Sequence, residues 1–295
     1  MLSYRPTGNY ISFLRIAKRI PNLIMAFPPQ DYSKATWRLV PEAEPALMQR
    51  YAVGGERVLH WSHKIGHGQD AMLLHLDVVC AEAVAAPYLL TAARQAWMAL
   101  RFSSPIIAAS TATTSDRDSM ITYRVAASPV EAKDWASRTV QLVEPSVLED
   151  DHALFERWRV WEDGADQAIL VITPQSTVAY CMSFLFSHAW TDGVGVKALV
   201  SHFLATLSRY LCDKTLANRK HAEMQWGREF VNLPPAYPEI VAEGESLGGP
   251  DHDATLGQIM QDLASTFPVS LRMLPPASQQ LISITACTPV SVARH

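Results

Sequence analysis

"SHAWTDGVGVKALV", residues 187–200, sets a histidine and an aspartate four positions apart, adds two glycines, and runs on into an apolar helical pattern. Histidine titrates near neutrality, so it can take a proton from a reacting group and hand it back. An aspartate just before a helix is favoured by the free amide groups and by the helix dipole. Two readings follow. His188 and Asp192 form an acid–base constellation where a strand meets a helix, or Asp192 is only a helix cap and His188 a satisfied core residue. The H-x-x-x-D spacing alone favours the second. The surroundings favour the first: Gly193 and Gly195 follow the aspartate, a buried strand precedes it, and an amphipathic helix comes after.

That strand is "TVAYCMSFLFSH" (177–188), so continuously apolar that it belongs in the middle of a sheet. "AILVITPQ" (168–175) is its neighbour across a short turn. Downstream, Val196, Leu199, Val200, Phe203, Leu204, Leu207 and Leu211 recur at i, i+3, i+4 and i+7, which predicts a helix packed by one stripe. Upstream, "ATWRLV" (35–40) and "ERVLHW" (56–61) read as short strands. "AMLLHLDVVC" (71–80) reads as a strand covered on both faces. An alanine-rich helix from Ala81 carries Val84, Tyr88, Leu89, Ala92 and Ala96 to a stop at "SSP" (103–105). "MITYRVAA" (120–127) alternates as a strand, and residues 128–144 open as a helix with Ser128 as cap, Pro129 in the first turn and Glu131 three residues after the serine.

Beyond residue 212 a polar run (213–229) precedes "NLPPAYPE" (232–239) and "GESLGGPDHD" (244–253), which read as linker. "TLGQIMQDLAS", "PVSLRML" and "PASQQLIS" then carry weak helix, strand and helix patterns to His295. The expected organisation is a lead-in (1–35), an α/β (α+β) lobe with a mixed sheet flanked by helices (36–215), a crossover (216–253) and the start of a second lobe (254–295).

The totals bound the function. A hydrophobic fraction of 48% over 295 residues supports a sizeable core, and a formal charge of −4 without charge blocks gives no footprint for nucleic acid. Cys80, Cys181, Cys212 and Cys287 lie far apart with no C-x-x-C pair, so reduced thiols and a cytoplasmic setting are expected. The first thirty residues hold Arg5, Arg15, Lys18 and Arg19 without an acid; a loosely ordered lead-in fits them better than a presequence or secretory signal. No stretch reaches the roughly 18 to 20 apolar residues of a membrane helix, so no membrane partner is expected.

"SHAWTDGVG" on a strand, loop and helix resembles the HxxxDG motif of the chloramphenicol acetyltransferase-like superfamily, which takes in peptide-synthetase condensation domains, BAHD acyltransferases and fungal alcohol acetyltransferases. The order of elements from Trp37 to Leu211 is similar to the N-terminal lobe of that superfamily, and the match covers roughly two-thirds of the chain. The resemblance implies acyl transfer without a covalent enzyme intermediate, from an acyl-CoA or carrier-protein thioester to a hydroxyl or amine of a small metabolite. It gives His188 as the general base, Asp192 as structural and orienting, and Gly193 as the residue keeping the backbone open to substrate. It implies no metal and no bound cofactor; a setting in secondary-metabolite biosynthesis comes from the same likeness.

The family's second lobe carries a DFGWG-type motif that this sequence lacks. Residues 268–295 resemble only the opening strand and helix of that lobe. The expectation is a truncated second lobe. The alternatives are a degenerate remnant and a half supplied by another chain. The rival reading is therefore a non-catalytic scaffold that self-associates through its uncovered face. Other motifs carry less. His60, His63 and His67 in "HWSHKIGHG" read as a polar loop after a strand rather than a zinc site, and Trp158 and Trp161 as packing residues. Ser187 lacks the Gly-x-Ser-x-Gly elbow of a hydrolase, and no phosphate-binding glycine loop is present.

Overall fold

The computed structural model describes residues 32–65, 71–115, 118–144, 162–236 and 239–240. Expectations for the lead-in up to residue 31, for His67, Trp158 and Trp161, and for the patterns beyond residue 240 fall outside them. Thr36–Ala236 forms one compact unit.

The unit is mixed α/β, as expected, but its described strands form two four-stranded sheets. One sheet contains the expected pair: β7 (Ala168–Pro174) and β8 (Ala179–Ser187) are antiparallel, and β8 lies between β7 and β3 (Ala71–Val79). β6 (Val140–Leu142) adds to β7 in parallel, so this sheet is mixed. β8 is buried on both faces, which is why its sequence shows no alternation. β3 departs from expectation: it pairs only with β8 among the described strands, and Leu73, His75 and Val79 on one face are exposed.

The second sheet is antiparallel throughout, in the order β1 (Arg38–Leu39), β2 (Leu47–Tyr51), β5 (Ser119–Arg124), β4 (Ala109–Thr113). β2 and β4 were not anticipated. β2 buries Met48 and Arg50 on one face, so a charged residue occupies an inward position and hides the alternation.

Five helices complete the unit among the described residues: α1 (Gly55–Ile65), α2 (Ala86–Ser103), α3 (Pro129–Thr139), α4 (Gly193–Cys212) and α5 (Lys214–Glu223). α1 corrects the strand expected at 56–61. Gly54 turns the chain at φ 55°, and Arg50 clamps Glu56 in the first turn with two bonds of 2.6 Å. This bidentate pair, made across six residues, fixes the helix start. α3 begins as read, with Ser128 Oγ accepting from the Glu131 amide at 3.3 Å and Pro129 at the first position. It ends at Thr139, and the residues beyond it become β6 because β7 offers them a parallel partner. α5 lies in what reads as linker. Asp213 caps it by accepting from the Thr215 and Leu216 amides.

The polar segment after α5 is tied down by a buried charge. Glu229 is fully buried; its carboxylate accepts from Tyr123 Oη at 2.8 Å, the Ala126 amide at 2.7 Å and the Gly227 amide at 2.8 Å. Arg101, also buried, donates to Tyr123 Oη at 3.3 Å and to the Arg124 carbonyl at 2.9 Å. Burial pushes the Tyr123 phenol well above its ordinary range, so it stays a neutral donor to Glu229.

The main core centres on Trp97 of α2. It stacks on Trp135 of α3 at 6.0 Å, meets Phe203 of α4 edge-on at 5.6 Å, and lies 6.3 and 6.1 Å from Phe184 and Phe186 of β8. Its indole N–H donates to Thr139 Oγ1 at 3.2 Å.

The cysteine expectation holds for Cys80 and Cys181, which are reduced thiols. Cys212 corrects it: exposed at the end of α4, it is disulfide-bonded. Cysteine usage therefore gives no argument for a reducing compartment. Among the described residues no helix is long and apolar enough to cross a membrane.

Two stability tests follow. Trp97→Ala should lower unfolding free energy by about 3–5 kcal/mol in a denaturant titration, because it opens a cavity shared by three helices and β8. His60, buried on α1 with Nε2 3.2 Å from Thr113 Oγ1, has its pKa pushed down to about 4 from 6.5 by burial and by the nearby Lys64 charge. The unfolded chain binds a proton there that the folded chain refuses. His60 is thus stability-neutral above about pH 6.5, and stability falls as pH drops from 6.5 toward 4, by an amount on the order of 3 kcal/mol. Denaturant midpoints measured over that window should fall less steeply in His60→Gln.

Candidate functional site

β8 delivers the chain to residue 188. Ser187 still belongs to the sheet, its amide donating to the Gln167 carbonyl at 3.0 Å. Its hydroxyl accepts from the Ala189 amide at 3.3 Å, so it closes the turn at the strand end. The backbone then turns through His188, Ala189 and Trp190. The Trp190 ring is buried against Phe186, edge-on at 6.0 Å, and pins the loop to the core. Sequence reading passed over Trp190. Its signal was a large aromatic between two polar motif residues.

His188 is half-buried, and its Nδ1 lies 2.9 Å from the Thr191 carbonyl oxygen. A carbonyl can only accept, so Nδ1 carries the proton and donates it. That bond fixes the tautomer in which Nε2 holds its lone pair. The acceptor that orients the ring is thus the backbone carbonyl of the residue before Asp192.

Asp192 is the cap of α4. Its Oδ1 accepts from the Gly195 amide at 2.7 Å, and its carbonyl accepts from Val196 at 2.8 Å. The carboxylate is exposed, and among the described residues it makes no ion pair. His188 and Asp192 therefore meet through Thr191, whose carbonyl orients the ring and whose chain position is set by the cap.

The two glycines differ. A Cβ on Gly193 would meet nothing within 4 Å, so the backbone there faces open space. A Cβ on Gly195 would stand 2.5 Å from Thr191 Oγ1 and 3.3 Å from Asp192 Oδ1. A side chain at Gly195 would therefore oblige Thr191 Oγ1 to move, a demand that Gly193 does not share and that the sequence did not reveal.

The other candidates do not join this site. His60 and His63 sit buried on α1, not on a polar loop, and His60 belongs to the Thr113 contact described above.

The site is thus a histidine at the end of a central strand, followed by a capped helix, in a mixed-sheet lobe. A family model described as "15-O-acetyltransferase Tri3" matches residues 27–277, and the chain belongs to that family. Among solved structures, the TRI3 trichothecene 15-O-acetyltransferase from Fusarium sporotrichioides superposes with a TM-score of 0.64 at 18% identity, over 81% of this chain and 49% of that one. Polyketide synthase associated protein 5 from Mycobacterium tuberculosis gives a TM-score of 0.37 at 10% identity, over 55% of this chain and 33% of that one. The first condensation domain of the calcium-dependent antibiotic synthetase gives 0.41 at 13%, over 56% and 39%. The chain spans about half the length of the TRI3 structure. A comparison with curated protein sequences gives no match.

The geometry separates the glycines experimentally. Gly195→Ala should cost about 1–3 kcal/mol of stability through the clash at Thr191, and Asp192→Ala about 1 kcal/mol through the lost cap. Gly193→Ala should leave the denaturant midpoint unchanged.

Proposed function

We propose that this chain is the histidine-bearing part of an O-acetyltransferase, moving an acetyl group from acetyl-CoA or a carrier-bound thioester to a hydroxyl of a small secondary metabolite. The family description supports the reaction and names a 15-O-acetyl transfer; the TRI3 protein of the superposed structure is a trichothecene 15-O-acetyltransferase. A trichothecene bearing a free 15-hydroxyl is therefore the first acceptor to test. The single observation carrying the residue assignment is the Nδ1–H bond of His188 to the Thr191 carbonyl, which leaves Nε2 as a base.

In the proposed reaction Nε2 takes the acceptor's hydroxyl proton as its oxygen attacks the thioester carbonyl carbon. A tetrahedral oxyanion forms, then collapses with cleavage of the carbon–sulfur bond. The departing thiolate takes the proton back from Nε2. The open backbone at Gly193 gives the substrate room beside the loop. Asp192 acts through position, by holding the turn that carries Thr191. In this reading residues 36–215 form the lobe with the base, 216–253 the crossover, and 254–295 the opening of a second lobe.

The test is acetyl transfer from acetyl-CoA to trichothecene and simple alcohol acceptors. His188→Ala should lower kcat/KM by about 100-fold or more, with the melting curve unchanged. Turnover equal to that of the parent protein would sink the assignment. Gly193→Ala should raise KM more than it lowers kcat.

A further inference from the structure

β3 and β8 place three side chains of different chemistry together on the face of the sheet opposite the Trp97 core. Asp77 pairs directly across from Cys181, and His75 across from Ser183. The two-residue period of a strand puts all four on one side. His75 Nε2 lies 3.0 Å from Cys181 Sγ, and the donor atoms of His75, Asp77 and Cys181 all fall within 4.8 Å of one another. Among the described residues this is the one group of three such donors that converges. Cys181 is buried, Asp77 half-buried and His75 exposed.

We propose that His75, Asp77 and Cys181 form a zinc-binding site. An imidazole nitrogen, a thiolate and a carboxylate suit zinc, and the thiolate disfavours magnesium and calcium. Ser183 supplies the outer support: its Oγ lies 2.9 Å from His75 Nδ1. With Nδ1–H donating there, Nε2 keeps its lone pair; Sγ, nearly as close to Nδ1 as to Nε2, lies beside the ring rather than on the axis of that lone pair, so the exposed imidazole must turn to ligate. The Ser183 hydroxyl also lies 3.8 Å from Cys181 Sγ, and His75 Nδ1 3.5 Å from it. Gln175 Nε2 donates to Asp77 Oδ1 at 3.3 Å and steadies the carboxylate.

The fit requires a small adjustment. Nitrogen and sulfur ligands of a tetrahedral zinc stand about 3.5 Å apart, so the imidazole and thiol must separate by about half an ångström. The exposed His75 ring can make that move by side-chain rotation. On binding, the Cys181 thiol gives its proton to solvent and its sulfur pair to zinc. The fourth coordination position takes water. The metal then joins the edge strand β3 to the central strand β8, and holding the folded state together it raises the melting temperature.

The experiment uses the full chain without a histidine tag, titrated with Co²⁺ as a spectroscopic stand-in and then with Zn²⁺. The expected result is one equivalent of cobalt with a thiolate-to-cobalt charge-transfer absorption, its displacement by zinc, release of a proton, and a melting temperature that rises with zinc concentration. Cys181→Ser should abolish the charge-transfer band, and His75→Gln and Asp77→Asn should each weaken affinity tenfold or more. Absence of the band in the parent chain overturns the site. So does a band that survives in Cys181→Ser, which would place the thiolate at another cysteine. Since His75 is exposed, His75→Gln should fold even if Cys181→Ser does not, and unchanged affinity in His75→Gln also overturns the proposal.

Discussion

Trp97 lies fully buried where α2, α3, α4 and β8 converge, and its ring touches an aromatic side chain from each of the other three. Burying a tryptophan removes a large apolar area from water, and well-placed ring pairs add about 0.5–1.5 kcal/mol each beyond that area. The geometric consequence reaches the site in two steps. Phe184 and Phe186 fix β8 against α2, and Phe186 in turn meets Trp190 edge-on at 6.0 Å. His188 thus sits between two residues that the same aromatic cluster holds. A core contact in α2 sets where the imidazole stands.

The loop also joins two demands that look independent in the sequence. A helix start needs an acceptor for its free amides, and a histidine base needs one nitrogen occupied so that the other keeps its lone pair. Asp192 satisfies the first through the Gly195 amide. Thr191, one residue earlier, satisfies the second through its carbonyl. Because these residues are adjacent, closing the cap places the carbonyl, and the carbonyl places the proton on Nδ1. The cap thus connects Asp192 to His188 through the carbonyl that lies between them.

What the sequence revealed followed from how local the signals were. β8 and α4 were legible because a run buried on both faces and a stripe at helical spacing need no knowledge of partners, and the Ser128, Pro129 and Glu131 start of α3 is written in four consecutive residues. α1 was misread because "ERVLHW" has no decisive period of its own. Its helix is set by the Gly54 turn and by Arg50 reaching across to Glu56. β6 was read as helix because a strand of three residues exists only by virtue of its partner β7. α5 reads as linker because its sequence carries no apolar stripe; among its described side chains only Ala217 is buried. At the site, His188 and Asp192 were legible from spacing, whereas the carbonyl of Thr191 and the steric demand on Gly195 are backbone properties that residue identities do not display.

The two faces of β8 explain why one strand can carry so much. Along its inner face Tyr180, Met182, Phe184 and Phe186 pack into the aromatic core, which makes the strand rigid. Along the other, Cys181 and Ser183 are buried but polar, and a rigid backbone is what lets polar groups be held at fixed separations. Leu185 interrupts the polar residues on that face and packs with Ile169 and Val171 in a separate apolar cluster. The polar group at His75, Asp77 and Cys181 is therefore walled off along the strand from the turn at Ser187. A single inner-face core thus supports the His188 turn at the strand's end and a separate polar cluster midway along its other face, and the apolar patch between them keeps the two apart.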